Sequence, residues 1–269
     1  MRWSAGAVAR MLGVSPVTLR TWDRRYGLGP STREEGRHRR YSEEDVARLR
    51  RMLVLTGRGV SPASAAAAVL AAPGGEVGPR AVEEAAELLD VPLLGTLSSS
   101  LIARDGVVRA WEDVLVPFLV ALGERVAATG SGVEVEHLAS AAISRALRAA
   151  APVAGSASVL LACAPEEQHS LPLDALAAAL TERDCGSWHL GARVPARALL
   201  DAVNSLAPRV VFVWAHAPAC AVLAPVSELL ERGLPVLLGG PGWVPVPPGA
   251  RWFGSLGAAV TGVLELNRF

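Results

Sequence analysis

Thr18, Arg20, Thr21, Arg24 and Arg25 gather on one short stretch, Pro16-Val-Thr-Leu-Arg-Thr-Trp-Asp-Arg-Arg-Tyr26. Hydroxyls and guanidinium forks at that spacing suit phosphates and base edges, and Arg presents its donors in pairs. A polar loop then ends in a second basic run, Gly36-Arg-His-Arg-Arg-Tyr41. Val17, Leu19 and Trp22, the apolar residues of the first stretch, are assigned to packing.

The elements that must hold these side chains are marked by clear start and stop signals. Ser4 caps a helix to about Leu12, and Gly13-Val14 makes a turn. Ser15 caps the next helix, with Pro16 at its first position, where a missing N–H costs nothing. Ser42-Glu-Glu-Asp45 opens a third helix with its acids at the positive end of the dipole. Residues 4–41 read as a winged helix-turn-helix, which implies double-stranded DNA as a partner.

Charge is divided in the same sense. The net charge is zero, yet residues 1–58 hold 13 Arg against 6 acids and residues 59–269 hold 13 against 20. A basic head on an acidic body fits a DNA reader joined to a module that does not touch DNA. No secretory signal and no membrane span is expected, which points to the cytoplasm. Cys163, Cys185 and Cys220 lack metal or redox spacing and are expected to be small buried hydrophobes.

A fourth helix is predicted from Ser61-Pro62 to about Ala72, and Pro73-Gly74-Gly75 with Gly78-Pro79 reads as a linker. Helices near 80–90, 92–104, 107–128 and 133–150, with short connections, predict an antiparallel four-helix bundle. After Pro152 the period changes. Short apolar runs at 158–162, 186–190, 210–214 and 235–238 alternate with helical stretches near 172–183, 195–206, 219–232 and 255–266. That order predicts a doubly wound, flavodoxin-like parallel sheet with ligands at the C-terminal strand ends. The expected domains are residues 1–72, 79–151 and 153–269.

Over residues 1–70 the chain resembles the DNA-binding domain of MerR-family transcription regulators. Thr18-Leu-Arg20, Tyr26-Gly27-Leu28, Pro30, Arg39-Arg-Tyr41 and Ser42 all fall in register. The resemblance implies that the second helix, with Tyr26, enters the major groove. It also implies that Arg37, His38, Arg39, Arg40 and Tyr41 touch backbone or minor groove, and that the chain acts as a dimer or higher homo-oligomer.

The bundle and α/β pair resembles the cobalamin-binding domains of methionine synthase and of the MerR-type photoreceptor repressors of carotenoid genes. In Pro165-Glu-Glu-Gln-His-Ser-Leu-Pro172, Glu167 and His169 occupy the family's acid and His positions. The resemblance implies that His169 ligates cobalt of a cobalamin such as adenosylcobalamin. A carboxylate on its other nitrogen would fix the tautomer and raise its basicity. Glu136-His137 matches the family's pair on the fourth bundle helix, and Gly239-Gly240 its glycine-rich loop beside the nucleotide tail. Four positions depart from the pattern. Pro172 stands for Gly, Trp214 for the small residue where the tail enters, and Val126-Ala127 for the Trp and His that serve the upper face. Two readings stay open: a regulator sensing a cobalamin, with a light response through its cobalt–carbon bond, or the same regulator with another tetrapyrrole, an apolar ligand or protein contacts alone. No acid, base and nucleophile set emerges, and an enzyme is not expected.

Overall fold

The structure is a computed structural model that describes residues 2–31, 40–57, 61–70, 78–151 and 157–267. It divides into two compact units, residues 1–77 and 78–269. Arg37, His38, Arg39, the end of the predicted fourth helix at Ala71-Ala72 and the predicted linker at Pro73-Gly74-Gly75 lie outside the described residues.

The first unit contains β1 (Trp3–Ser4), α1 (Ala5–Leu12), α2 (Pro16–Tyr26), β2 (Arg40–Tyr41), α3 (Glu43–Gly57) and α4 (Pro62–Leu70). The caps act as their residue types require. Ser4 Oγ accepts from Ala7 N, and Ser15 Oγ accepts from Thr18 N at 3.0 Å. Gly13 and Gly27 end α1 and α2 in the left-handed region, at φ 67° and 71°. Leu19 and Trp22 of α2 pack with Val8, Leu49 and Met52 in one core. Val17 does not join them; it is 63% exposed. Its place on the helix, two residues before Leu19, turns it away from the core whatever its hydrophobicity.

β1 and β2 pair antiparallel, Trp3 opposite Tyr41 and Ser4 opposite Arg40. Strand alternation turns Arg40 outward and Tyr41 into the core, where it is 4% exposed. Tyr41, expected at DNA, is thus a packing residue. Asp45 is buried and closes a reciprocal cap with Ser42, each backbone N–H donating to the other's side chain at 2.8 and 3.1 Å. The same carboxylate accepts from Ser31 N and Oγ, fastening the root of the loop to α3.

In the second unit α5 (Pro79–Glu87), α6 (Val91–Asp105), α7 (Val107–Ala110), α8 (Val116–Thr129) and α9 (Val133–Ala150) form the bundle. α7 continues into α8 through one π-helical turn at Trp111–Leu115, so the pair counts as a single third helix. Then follow β3 (Ala157–Cys163), α10 (Leu171–Thr181), β4 (Gly186–His189), α11 (Ala196–Leu206), β5 (Val210–Trp214), α12 (Leu223–Glu231), β6 (Val236–Gly239), β7 (Arg251–Phe253) and α13 (Leu256–Asn267).

The sheet is parallel throughout, in the order β4-β3-β5-β6-β7. This is the flavodoxin-like order, with its switch point between β3 and β5. Leu160, Val211, Val213 and Leu238 pack beneath Leu199 of α11 and Leu229 of α12. Their neighbours in sequence, Val159, Leu161, Phe212 and Leu237, are equally buried. Burial on both faces explains the unbroken apolar runs. A fifth strand, β7, was absent from the sequence reading, and the helix expected from 219 begins at Leu223 after a 3₁₀ turn, Pro218–Cys220. Cys163 and Cys185 are buried as expected, whereas Cys220 is partly exposed.

The bundle and sheet share polar partners across their seam. Glu182, just after α10, accepts from Val107 N at the start of α7 (2.9 Å), and Glu112 accepts from Gly257 N in the first turn of α13 (2.8 Å).

Candidate functional site

Two surfaces bring together residues singled out by the sequence. The first is α2, where Arg20, Thr21, Arg24 and Arg25 are exposed and Thr18 and Tyr26 are half-buried. Thr18 shares a 2.8 Å hydroxyl contact with Ser15, and Thr21 Oγ1 donates to the Val17 carbonyl at 3.0 Å. Arg20 Nε reaches the Pro16 carbonyl at 3.3 Å. Asp45 lies at the start of α3 in the same unit. Burial would raise its pKa, but N–H groups of Ser42 and Ser31 and the Arg48 guanidinium outweigh that and hold it below the usual carboxylate range.

The second surface is the C-terminal edge of the sheet at the switch point. The loop after β3 is anchored to its neighbours, with Ala164 N donating to Trp214 O (2.9 Å) and Arg193 N to Glu167 O (2.7 Å). Glu167 is fully buried, 0% exposed, with three donors on its carboxylate. Oε1 accepts from His169 N at 2.7 Å and faces His169 Nδ1 at 2.6 Å, and Oε2 accepts from His216 N. Burial would push this carboxyl up; the His169 and His216 N–H groups and the His169 imidazole outweigh it and hold it below its ordinary value. A charged carboxylate at Nδ1 favours the tautomer with the proton there, leaving the lone pair on Nε2. The His169 side chain is 60% exposed, so that nitrogen belongs to a solvent-accessible ring.

His216, in the loop after β5, stands beside it, with ring centroids 5.0 Å apart. No local pattern in the sequence marks His216 as part of this site. The signal that would have found it is topological: first and third strands are adjacent in this sheet order, so their following loops meet. Cys163 lies beneath, its Sγ 3.8 Å from the His169 carbonyl oxygen, and burial with the Glu167 and Asp174 charges pushes its thiol up to about 12. That thiol stays protonated and unreactive.

The glycines after β6 lie against protein rather than an open channel. A Cβ on Gly239 would stand 2.5 Å from Phe212 Cζ and 3.1 Å from Trp214 Cε3. At Gly240, where φ is 92°, it would stand 2.2 Å from the Ala215 oxygen. Trp214 Nε1 is buried there without a hydrogen-bond partner, while Trp252 Nε1 donates to Gly240 O at 2.8 Å. Glu136 is half-buried and His137 exposed on α9; Val126 is half-buried and Ala127 exposed on α8. Pro172 sits in the first turn of α10. Among the described residues no group of three or more His, Cys, Asp or Glu is placed to hold a metal ion, and no helix is long and apolar enough to cross a membrane.

A second carboxylate–imidazole cluster, not anticipated from the sequence, joins bundle to sheet. Asp174 of α10, 3% exposed, accepts from Ser144 Oγ (2.7 Å) and Arg148 Nε (3.0 Å) of α9. His189 Nε2 of β4 lies 3.3 Å from Asp174, and its Nδ1 accepts from Gly191 N at 3.0 Å.

Comparison with known proteins places the chain among its relatives. Residues 3–71 match the MerR HTH family regulatory protein model, and residues 80–150 match the B12 binding domain. The HTH-type transcriptional repressor CarH of Myxococcus xanthus is 32% identical over 260 residues, 86% of each chain. The repressor CarA of the same organism is 34% identical over 265 residues, covering 87% of this chain and 85% of CarA. A monomethylamine corrinoid protein of Methanosarcina barkeri shares the fold, with a TM-score of 0.58 at 13% identity over 72% of this chain and 99% of its own. With a MerR-type head, a B12 binding domain and this identity over most of its length, the chain belongs to the family of HTH-type transcriptional repressors that includes CarH and CarA.

Proposed function

We propose that the protein is a transcriptional repressor that binds operator DNA as a homo-oligomer and is controlled by a cobalamin, adenosylcobalamin, in its C-terminal unit. Residues 1–72 read DNA through α2, Arg40 and the loop bearing Arg37, His38 and Arg39. Residues 79–151 and 153–269 hold the ligand. The observation that carries this reading is the pairing of buried Glu167 with His169 Nδ1 at the switch point, which leaves Nε2 as a ligand nitrogen on an exposed side chain.

The residues of the switch-point loop fit such a group. His169 would hold cobalt through Nε2, and Glu167 would fix the ring and strengthen the donor. When bound, the corrinoid supplies a cobalt–carbon bond that light can cleave. Glu136 and His137 lie on α9 roughly 10–12 Å of helix rise from Ser144, and face the ligand from the bundle side in this reading. A ligand controls repression only by binding one oligomeric or DNA-bound state better than another.

Beside Gly239, where the resemblance puts the nucleotide tail, the rings of Phe212 and Trp214 stand within 3.1 Å of where a Cβ would be. That observation favours a second reading, a corrin ring bound with its nucleotide left outside the sheet.

An absorption titration with adenosylcobalamin in the dark, repeated after illumination and with His169→Ala, tests the proposal. A shift to histidine-ligated cobalamin that vanishes in the variant is expected, with sedimentation and operator binding changing alongside it. Absence of any shift in the wild type refutes the cobalamin reading. Cobinamide binding as tightly as adenosylcobalamin selects the second reading.

A further inference from the structure

We infer that Val17 is a sequence-reading residue and that its target is the 5-methyl group of a thymine in the operator. The inference rests on the DNA-binding reading above and adds a specific contact to it.

Scattered exposed valines are ordinary and need no explanation. This one is placed differently. Val17, Arg20, Thr21 and Arg24 are three, four and seven residues apart, so they share one face of α2, opposite Leu19 and Trp22. Val17 is the apolar member of that face, 63% exposed, near the N-terminal end of the second helix of a helix-turn-helix. That end is the part of such a helix that meets base edges.

The hydroxyls around it are already engaged. Thr21 Oγ1 donates to the Val17 carbonyl, and Thr18 Oγ1 pairs with the Ser15 hydroxyl that caps the helix. With its hydroxyl turned to the backbone, Thr21 offers its methyl group to the surface. The N-terminal half of the reading face is thus lined with methyls and flanked by the guanidinium groups of Arg20, Arg24 and Arg25.

Those cations draw the face to a polyanion, which an isolated apolar patch would not seek. In the major groove the apolar group presented by the bases is the thymine methyl. Guanidinium groups set the position, and the isopropyl group of Val17 selects A·T at the pair beneath it.

The test uses the full-length protein and an operator that the protein itself selects from random duplexes. Each thymine is then replaced by deoxyuridine, which removes the methyl and keeps the pairing. One thymine is expected whose replacement weakens binding about fourfold, the worth of one buried methyl. In Val17→Ser the thymine-to-uridine ratio at that position falls to about one, with the helix content unchanged because the side chain is exposed. A ratio of one at every thymine in the wild type overturns the inference, as does a ratio undiminished in Val17→Ser. Failure to select any operator overturns the DNA-binding reading itself, and the inference with it.

Discussion

Two clusters in the second unit are made of the same parts and reach opposite ends. Glu167 with His169, and Asp174 with His189, each set a buried carboxylate against an imidazole. His169 gives Nδ1 to its carboxylate and keeps Nε2 on an exposed ring. His189 directs Nε2 at Asp174 and occupies Nδ1 with the Gly191 N–H, while Ser144 and Arg148 bring the bundle onto the same acid. A histidine beside a buried acid is therefore no functional signature by itself. The nitrogen left over decides whether the pair binds or braces.

Breaking the brace has the largest expected effect. Asp174→Ala takes the acid from Ser144 and His189 while Arg148, 64% exposed, turns to water, and lowers stability by about 1.5–3 kcal/mol, measurable by urea unfolding of the full chain. A loss below about 1 kcal/mol would show that the seam stands without it. Glu167→Gln keeps the shape but gives up the charge and part of the acceptor capacity. A cost of about 1–3 kcal/mol is expected, with adenosylcobalamin affinity falling about 10–100-fold; equal affinity in a titration would remove Glu167 from the binding machinery.

Acid should erode both clusters. Burial raises each carboxyl, yet hydrogen bonds from His169 and His216 on Glu167, and the nearby His189 imidazole, the Ser144 hydroxyl and the Arg148 charge on Asp174, prevail and depress both. A depressed acid stabilises the folded chain fully above about pH 5 and loses that contribution as pH falls through its folded value. Stability profiled against pH should drop on the acid side, and Asp174→Asn should flatten the drop. His169→Ala sharpens the contrast from the other end. The N–H groups of His169 and His216 stay on Glu167, so losing the ring's bond to that buried acid should cost about 1 kcal/mol while abolishing the histidine-ligated spectrum; a loss as large as that of Asp174→Ala would place His169 among the structural residues.

What could be read from the sequence depended on range. Ser4, Ser15, Pro16 and Gly13 act within four residues of themselves, and the helix-turn-helix was legible from them. The buried strands were legible as unbroken apolar runs, but β7 is three residues at the sheet edge, Arg251-Trp-Phe253, too short to show a period. Val17 shows that residue type alone does not fix burial: its angle on α2 turns it away from Leu19 and Trp22. The Asp174 cluster draws its members from positions 144, 148 and 189, and no local pattern links them. Glu167 and His169 were legible as a motif, whereas the ring of His216 beside them depends on strand order.

The carboxylates that cross the seam also set an order of events during synthesis. Glu112 leaves the ribosome 145 residues before the Gly257 N–H it will bind, and α7 emerges 75 residues before Glu182 arrives to cap it. At translation rates of about 5–20 residues per second, Glu112 waits roughly 7–30 s for its partner. The bundle is made before the sheet but completed only after it, so a ribosome that stalls before α13 holds a half-finished seam, with α7 and Glu112 still waiting for the residues that lock them.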